Sequence, residues 1–153
     1  MSALELKIPP PVVALLTALA MWGLARYDSA PVAWIFLRIP VASLLLLTGL
    51  LFDAAGFLTF RRVRTTINPM RPKSTSTLVQ SGVYKLTRNP MYLGLACILC
   101  GWAVYLWSPW ALCGPLAFVA YITRFQIIPE ERVLTVLFGE VYSAYRAKVG
   151  RWL

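Results

Sequence analysis

The residues of this chain best suited to chemistry stand in a few short runs. Gly82–Tyr92 holds Tyr84, Tyr92, Lys85, Arg88, Asn89 and Pro90 within eleven residues. Proline presets the start of a helix, and a helix start offers unpaired N–H groups. Those groups, the Arg88 guanidinium and the two phenol rings together suit a ligand with an anionic part. A second run, Pro129-Glu130-Glu131-Arg132, supplies carboxylates that suit ribose hydroxyls, an amine or a sulfonium cation. Arg124 has the planar fork that grips a carboxylate through two hydrogen bonds. Asp53 lies inside an apolar segment, about 10 Å from its end by helical rise, and an acid at that depth is a functional candidate.

Ordinary structure also accounts for these residues. Asn89 and Pro90 suffice for a capped helix, with Arg88 at the headgroups. Proline followed by two acids is how many helices begin, because carboxylates complement the helix dipole. An arginine at the end of an apolar helix reaches toward the interface. Asp53 is expected to pair with a cation of the Arg61-Arg62-Val63-Arg64 cluster. From the residues alone, the ligand-binding and structural readings of the 84–92 run stand level. The chain has no histidine, so the commonest general base and metal ligand are absent. Cys97 and Cys100 share a helical face with nothing to complete a metal site, so no metal is expected.

Composition dictates what must position these groups. Hydrophobic residues make up 59% of 153, and charged residues only 14%. A single domain this small cannot bury so much apolar side chain, and the excess must face lipid. The expected class is an all-α integral membrane protein of about four transmembrane helices, spanning roughly 12–27, 39–60, 91–107 and 110–125. Pro9-Pro10-Pro11 is expected to block helix before Val12, and Pro40 to sit in the first turn of the second span. Ser108-Pro109 predicts a tight hairpin, flanked by a belt of Trp102, Tyr105, Trp107 and Trp110. In the tail, Leu134, Leu137, Val141, Tyr145, Val149 and Trp152 recur at helical spacing, which predicts an amphipathic cytosolic helix weakened at Gly139.

The net charge of +9 sits in the connections and tail, where it sets orientation; no nucleic-acid partner is expected. Residues 61–90 carry seven cations and no acid, and the tail adds Arg132, Arg146, Lys148 and Arg151. By the positive-inside rule, both termini and the 61–90 connection are cytoplasmic. Gly23-Leu24-Ala25-Arg26 makes a poor signal-peptide cleavage site, and further spans follow it.

Several motifs, in order, resemble the isoprenylcysteine carboxyl methyltransferases and their bacterial relatives. They are Thr65-Thr66-Ile67-Asn68-Pro69, Leu78-Val79-x-Ser81-Gly82-x-Tyr84 and Arg88-Asn89-Pro90-Met91-Tyr92-Leu93-Gly94. The tail adds Arg124-Phe125-x-x-x-Pro129-Glu130-Glu131-Arg132 and Phe138-Gly139-x-x-Tyr142-x-x-Tyr145. The related phospholipid methyltransferases share the Arg-x-Pro-x-Tyr core. The resemblance covers roughly residues 60–153, with site motifs at 82–94 and 124–146.

The resemblance implies S-adenosylmethionine as methyl donor, in a pocket at the cytosolic face closed by the C-terminal segment. A lipophilic small-molecule or lipid acceptor would enter from the membrane. Carried over, Tyr84, Arg88, Asn89, Pro90 and Tyr92 line the cofactor pocket, and Glu130 and Glu131 contact the cofactor. Arg124, named with Glu131 as a catalytic group, orients an acceptor carboxylate. Many members have histidine where this chain has Asn89, which can hydrogen-bond but cannot be a base. A carboxylate acceptor needs no base; an amine would. The short N-terminal half resembles the bacterial relatives, which implies a bacterial inner membrane. The competing readings are a phospholipid-type N-methyltransferase, a membrane NADPH-dependent reductase and a non-catalytic lipid-binding module.

Overall fold

The computed structural model describes residues 5–27, 35–63 and 77–153. The described residues are helical, with no strand. The helices are α1 (Pro10–Ala25), α2 (Ile35–Val63), α3 (Pro90–Leu106), α4 (Cys113–Ile122) and α5 (Ile128–Lys148). Arg64, the Thr65–Pro69 motif, Arg71 and Lys73 lie outside the described residues.

Two helices are long and apolar enough to cross a membrane, Phe36–Arg62 and the continuous run Pro109–Lys148; α1 and α3 are shorter apolar helices. Only the first part of the 109–148 run is apolar. From Glu130 onward it carries charge on every turn or two.

The helix starts differ from the sequence expectation. The triple proline does not hold α1 off until Val12: Pro10 and Pro11 occupy its first turn, where the missing N–H groups would have no partner in any case. Pro40 lies inside α2 rather than at its start, because that helix begins at Ile35.

A further difference falls at residues 123–128. The tail is not set apart from the fourth apolar segment. A π-helical turn, Thr123–Ile127, carries α4 directly into α5. Pro129 has no N–H for the Phe125 carbonyl four residues back, and the widened turn absorbs that defect. The freed carbonyl accepts the Leu6 N–H at 3.0 Å. Gln126 Nε2 donates to the Ile8 carbonyl at 2.7 Å. Residues 5–8 are thereby strapped across the turn.

The close pair is α2 and α3, held together by small residues. A Cβ on Gly49 would lie 2.6 Å from the Gly94 carbonyl oxygen, and one on Gly101 2.9 Å from the Ala42 carbonyl oxygen. Without those side chains the backbones pack directly, as apolar helices in lipid commonly do. Met21, Leu99, Phe118, Ile122 and Ile127 form the core between α1, α3 and α4. Opposite it, the outer faces of α1, α2 and α4 expose Leu15, Leu16, Leu44, Leu47, Leu51 and Leu116. The aromatic belt is partly realised: Trp102 stacks on Tyr105 with ring centroids 5.4 Å apart, and Arg38 lies over Tyr105.

The tail helix buries the expected stripe in part: Tyr145 and Val149 are buried and Leu134 and Trp152 half-buried, whereas Leu137 and Val141 are not. Glu131, Tyr142 and Tyr145 are buried, with Leu134 and Phe138 packed beside the tyrosines, while Leu137 and Val141 are exposed. Gly139 is the cause. Its φ of 50° and ψ of −122° break the helix, so one helical register does not run through the whole tail.

Candidate functional site

The start of α1, the end of α2, the start of α3 and the start of α5 meet at one end of the molecule, around a cavity of about 690 Å³. Local sequence puts the polar side chains there. Gly82, at φ 60°, opens a short 3₁₀ turn, Gly82–Lys85, that delivers Tyr84. Pro90 then starts α3, with Arg88 and Asn89 just before it and Tyr92 in its first turn.

The two acids of α5 do fold back to this region, each to a different partner. Glu131 Oε1 accepts from Arg88 Nη1 at 2.8 Å, and Oε2 accepts from Arg151 Nη2 at 2.7 Å. The Arg88 and Glu131 side chains are each only 9% exposed. Burial alone would raise the Glu131 carboxyl, but the Arg151 hydrogen bond and the charges of Arg88 and Arg151 outweigh it and hold it below its ordinary value. Glu130 accepts from the Tyr92 hydroxyl at 2.6 Å. No cation answers it, so burial pushes its carboxyl up to about 8, partly offset by the Tyr92 bond and reinforced by Glu131. Burial also raises the Tyr84 phenol, with Tyr145 and Glu130 adding to it. Its ring meets Phe60 of α2 edge-on at 5.3 Å.

The last residues tie down Arg88 and Asn89. Arg88 N–H and Nε both donate to the Gly150 carbonyl, at 3.0 and 3.3 Å. Asn89 Nδ2 donates to the Arg151 carbonyl at 2.8 Å. The Asn89 side chain therefore does not cap α3, although it stands at the capping position. Tyr145 Oη donates to the Tyr84 carbonyl at 2.6 Å, so the second half of α5 is tied to the 3₁₀ turn.

The seven residues singled out as cofactor-binding, Tyr84, Arg88, Asn89, Pro90, Tyr92, Glu130 and Glu131, all line this one cavity. Arg124 does not. It projects from the π-turn and pairs with Glu5 at 3.1 Å, while Arg132 approaches the same carboxylate at 3.6 Å. Asp53 lines the cavity from α2. Of the cations expected to pair with it, Arg61 and Arg62 do not and are exposed, and Arg64 lies outside the described residues; Asp53 Oδ1 is buried with no hydrogen-bond partner among the described residues.

Sequence reading missed Arg151, a second donor to Glu131, and Tyr142, whose hydroxyl oxygen accepts from Arg88. Arg151 lay in a tail that seemed only to set orientation. Tyr142 had been quoted as a motif position without a role, yet its hydroxyl lies 3.3 Å from Arg88 Nη1.

Among the described residues, the arrangement offers a largely apolar cavity lined by acids and one engaged cation. That suits an amphiphilic or cationic guest. No solved structure matches this chain. An uncharacterized protein of Haemophilus influenzae is 43% identical over 63 residues, which is 41% of this chain and the whole of that relative. The sequence profile of the family described as phospholipid methyltransferase matches residues 37–141, from the second apolar helix through the Tyr84–Tyr92 run and both glutamates to the middle of α5. With more than half its length inside that match, the chain belongs to the phospholipid methyltransferase family, membrane methyltransferases of the phospholipid and isoprenylcysteine type.

Proposed function

We propose that this protein transfers a methyl group from S-adenosylmethionine to a lipophilic acceptor that reaches the cavity from the membrane. The observation that carries the reading is the convergence of all seven expected donor-contacting residues on one cavity. The residues fit such a donor. Glu130 faces the cavity with the Tyr92 hydroxyl as its hydrogen-bond partner among the described residues, so it has capacity for a cation or for hydroxyls. Phe60 and Tyr84 give a flat apolar wall.

When bound, the donor supplies an electrophilic methyl group on sulfur. The chain's task is then to align the two reactants and keep water out. Glu130, Tyr92 and Tyr84 would hold the donor. Arg88, Glu131 and Arg151 act one step removed, because they fasten the C-terminal segment over the cavity and shield it. Asn89 belongs with them, since its amide is spent on the same segment. Arg124 contributes outside the cavity, by holding the N-terminal strap through Glu5.

In this reading the protein crosses a bacterial inner membrane four times, with both termini cytoplasmic. Arg38 and Tyr105 support the far side, since they meet at the end opposite the cavity.

Calorimetric titration of the detergent-purified protein tests the reading, with S-adenosylmethionine, S-adenosylhomocysteine and, as control, NADPH. Saturable binding of the first two, weakened at least tenfold in Glu130→Gln and absent for NADPH, is the expected result. A folded protein that binds neither, or that binds NADPH instead, overturns it.

A further inference from the structure

Three acids line the cavity, and two of them are answered: Glu131 by arginines and Glu130 by Tyr92. Asp53 is not. Its Oδ1 is buried and has no hydrogen-bond partner among the described residues. Buried polar atoms are ordinarily paired, and an acid inside an apolar helix is costly, so folding alone gives no reason for one here.

The fold makes specific room for this carboxyl. Gly94 of α3 lies directly opposite it, and a Cβ at that position would overlap the Asp53 side chain. Around it the wall is apolar, formed by Leu50, Ala54 and Phe57 of α2. These neighbours belong to the lipid-exposed helix: Leu50 and Phe57 are themselves partly open to the outside. A long-chain acceptor entering past α2 would therefore meet Asp53 with its polar head.

The charges in the cavity decide which head that can be. Arg88 is the cation among the described lining residues, and it is engaged by Glu131 and the Gly150 carbonyl. Arg124, the candidate for gripping a carboxylate, faces Glu5 outside. Among the described residues, an anionic head would meet acids and no available cation. A cationic head would meet its counter-charge.

We propose that Asp53 is the acceptor-side group of the cavity, and that it takes a lipophilic amine and removes the proton that masks the nitrogen's lone pair. The ammonium head donates a charge-assisted hydrogen bond to the carboxylate. One N–H bond then breaks, its electron pair stays on nitrogen, and the proton passes to Oδ1. The result is a neutral amine and a neutral carboxylic acid, which returns the proton to water at the cavity mouth. This supplies the base that an amine acceptor needs in a chain without histidine. The assignment rests on the methyl-transfer reading of the same cavity; an amine acceptor is the phospholipid-type reading given above, and what is added is the residue that receives it.

Titration of the full-length protein in detergent with octylamine, octanoate and octyltrimethylammonium tests it, with S-adenosylhomocysteine titrated separately. Octylamine should bind wild type saturably, bind Asp53→Asn at least tenfold more weakly, and recover most of its affinity in Asp53→Glu. Octyltrimethylammonium, which has no N–H to give, should bind more weakly than octylamine. Octanoate should neither bind nor compete. Equal octylamine binding by wild type and a folded Asp53→Asn overturns the proposal, as does octanoate binding better than octylamine. Equal binding of the two cations overturns the proton-taking step. Should Asp53→Asn fail to fold, the comparison of the three amphiphiles on wild type still decides the acceptor class. Loss of S-adenosylhomocysteine binding in wild type, with octylamine binding intact, would remove the donor reading and leave Asp53 as an amine site.

Discussion

Glu131 serves two arginines at once, and its removal would strand both. Arg88 would be the worse case, because it is almost wholly enclosed. Breaking a buried pair from one side costs roughly 3–5 kcal/mol, so Glu131→Ala should lose about that much stability in detergent unfolding. Arg151→Ala should cost only about 1 kcal/mol, because Arg151 is 35% exposed and Glu131 keeps Arg88. Glu130 predicts a pH effect of opposite sign to the usual carboxylate. Its folded value of about 8 lies above its ordinary 4.5. Between those values the unfolded chain has already lost the proton while the folded one keeps it. Stability from this group is therefore complete below about pH 4.5 and is lost as pH rises through 8. Glu130→Gln should flatten that slope in unfolding curves collected from pH 5 to 9.

Among the elements, α5 depends on a backbone that only glycine tolerates. The Gly139 conformation combines positive φ with strongly negative ψ, and a Cβ there would meet nothing within 4 Å. Gly139→Ala therefore tests backbone strain alone, at about 1–3 kcal/mol. Straightening the helix would also pull Tyr145 off the Tyr84 carbonyl, so S-adenosylhomocysteine binding should weaken along with the melting temperature. How much of this was visible in the sequence depends on the range of the cause. Pro90 and Pro129 declare helix starts by local chemistry, and the short motifs around them carried the cavity residues correctly to one place. The tail stripe held at Leu134, Tyr145 and Val149 and failed at Leu137 and Val141, on either side of Gly139, because periodicity assumes one unbroken helix and Gly139 interrupts it. The strap at Glu5–Ile8 was not legible either: its partners, Phe125 and Gln126, lie more than a hundred residues away, and no local pattern announces a carbonyl released by a proline. Asp53 looked like an ion-pair partner because cations followed it in sequence, but helical rotation and the bare face of Gly94 turned it to the cavity instead.

At the scale of the whole molecule, the outer surface says where the protein resides. Exposed leucines surround α1, α2 and α4, and water gives no refuge for such a surface. The protein should stay in the membrane pellet through an alkaline carbonate wash and be released by detergent; release by carbonate would contradict lipid-facing helices. The way the site is fastened has a consequence for biosynthesis. Its floor and walls come from residues 10 to 145, but the fastening that holds Arg88 and Asn89 in place comes from the carbonyls of Gly150 and Arg151. A ribosome that stops just before Gly150 releases a chain with every hydrophobic helix and every cavity wall complete and the site still unlatched. Membrane insertion and acquisition of a working site are thus separate events in the life of this chain, and a nonsense codon just before Gly150 would leave a protein correctly housed and inert.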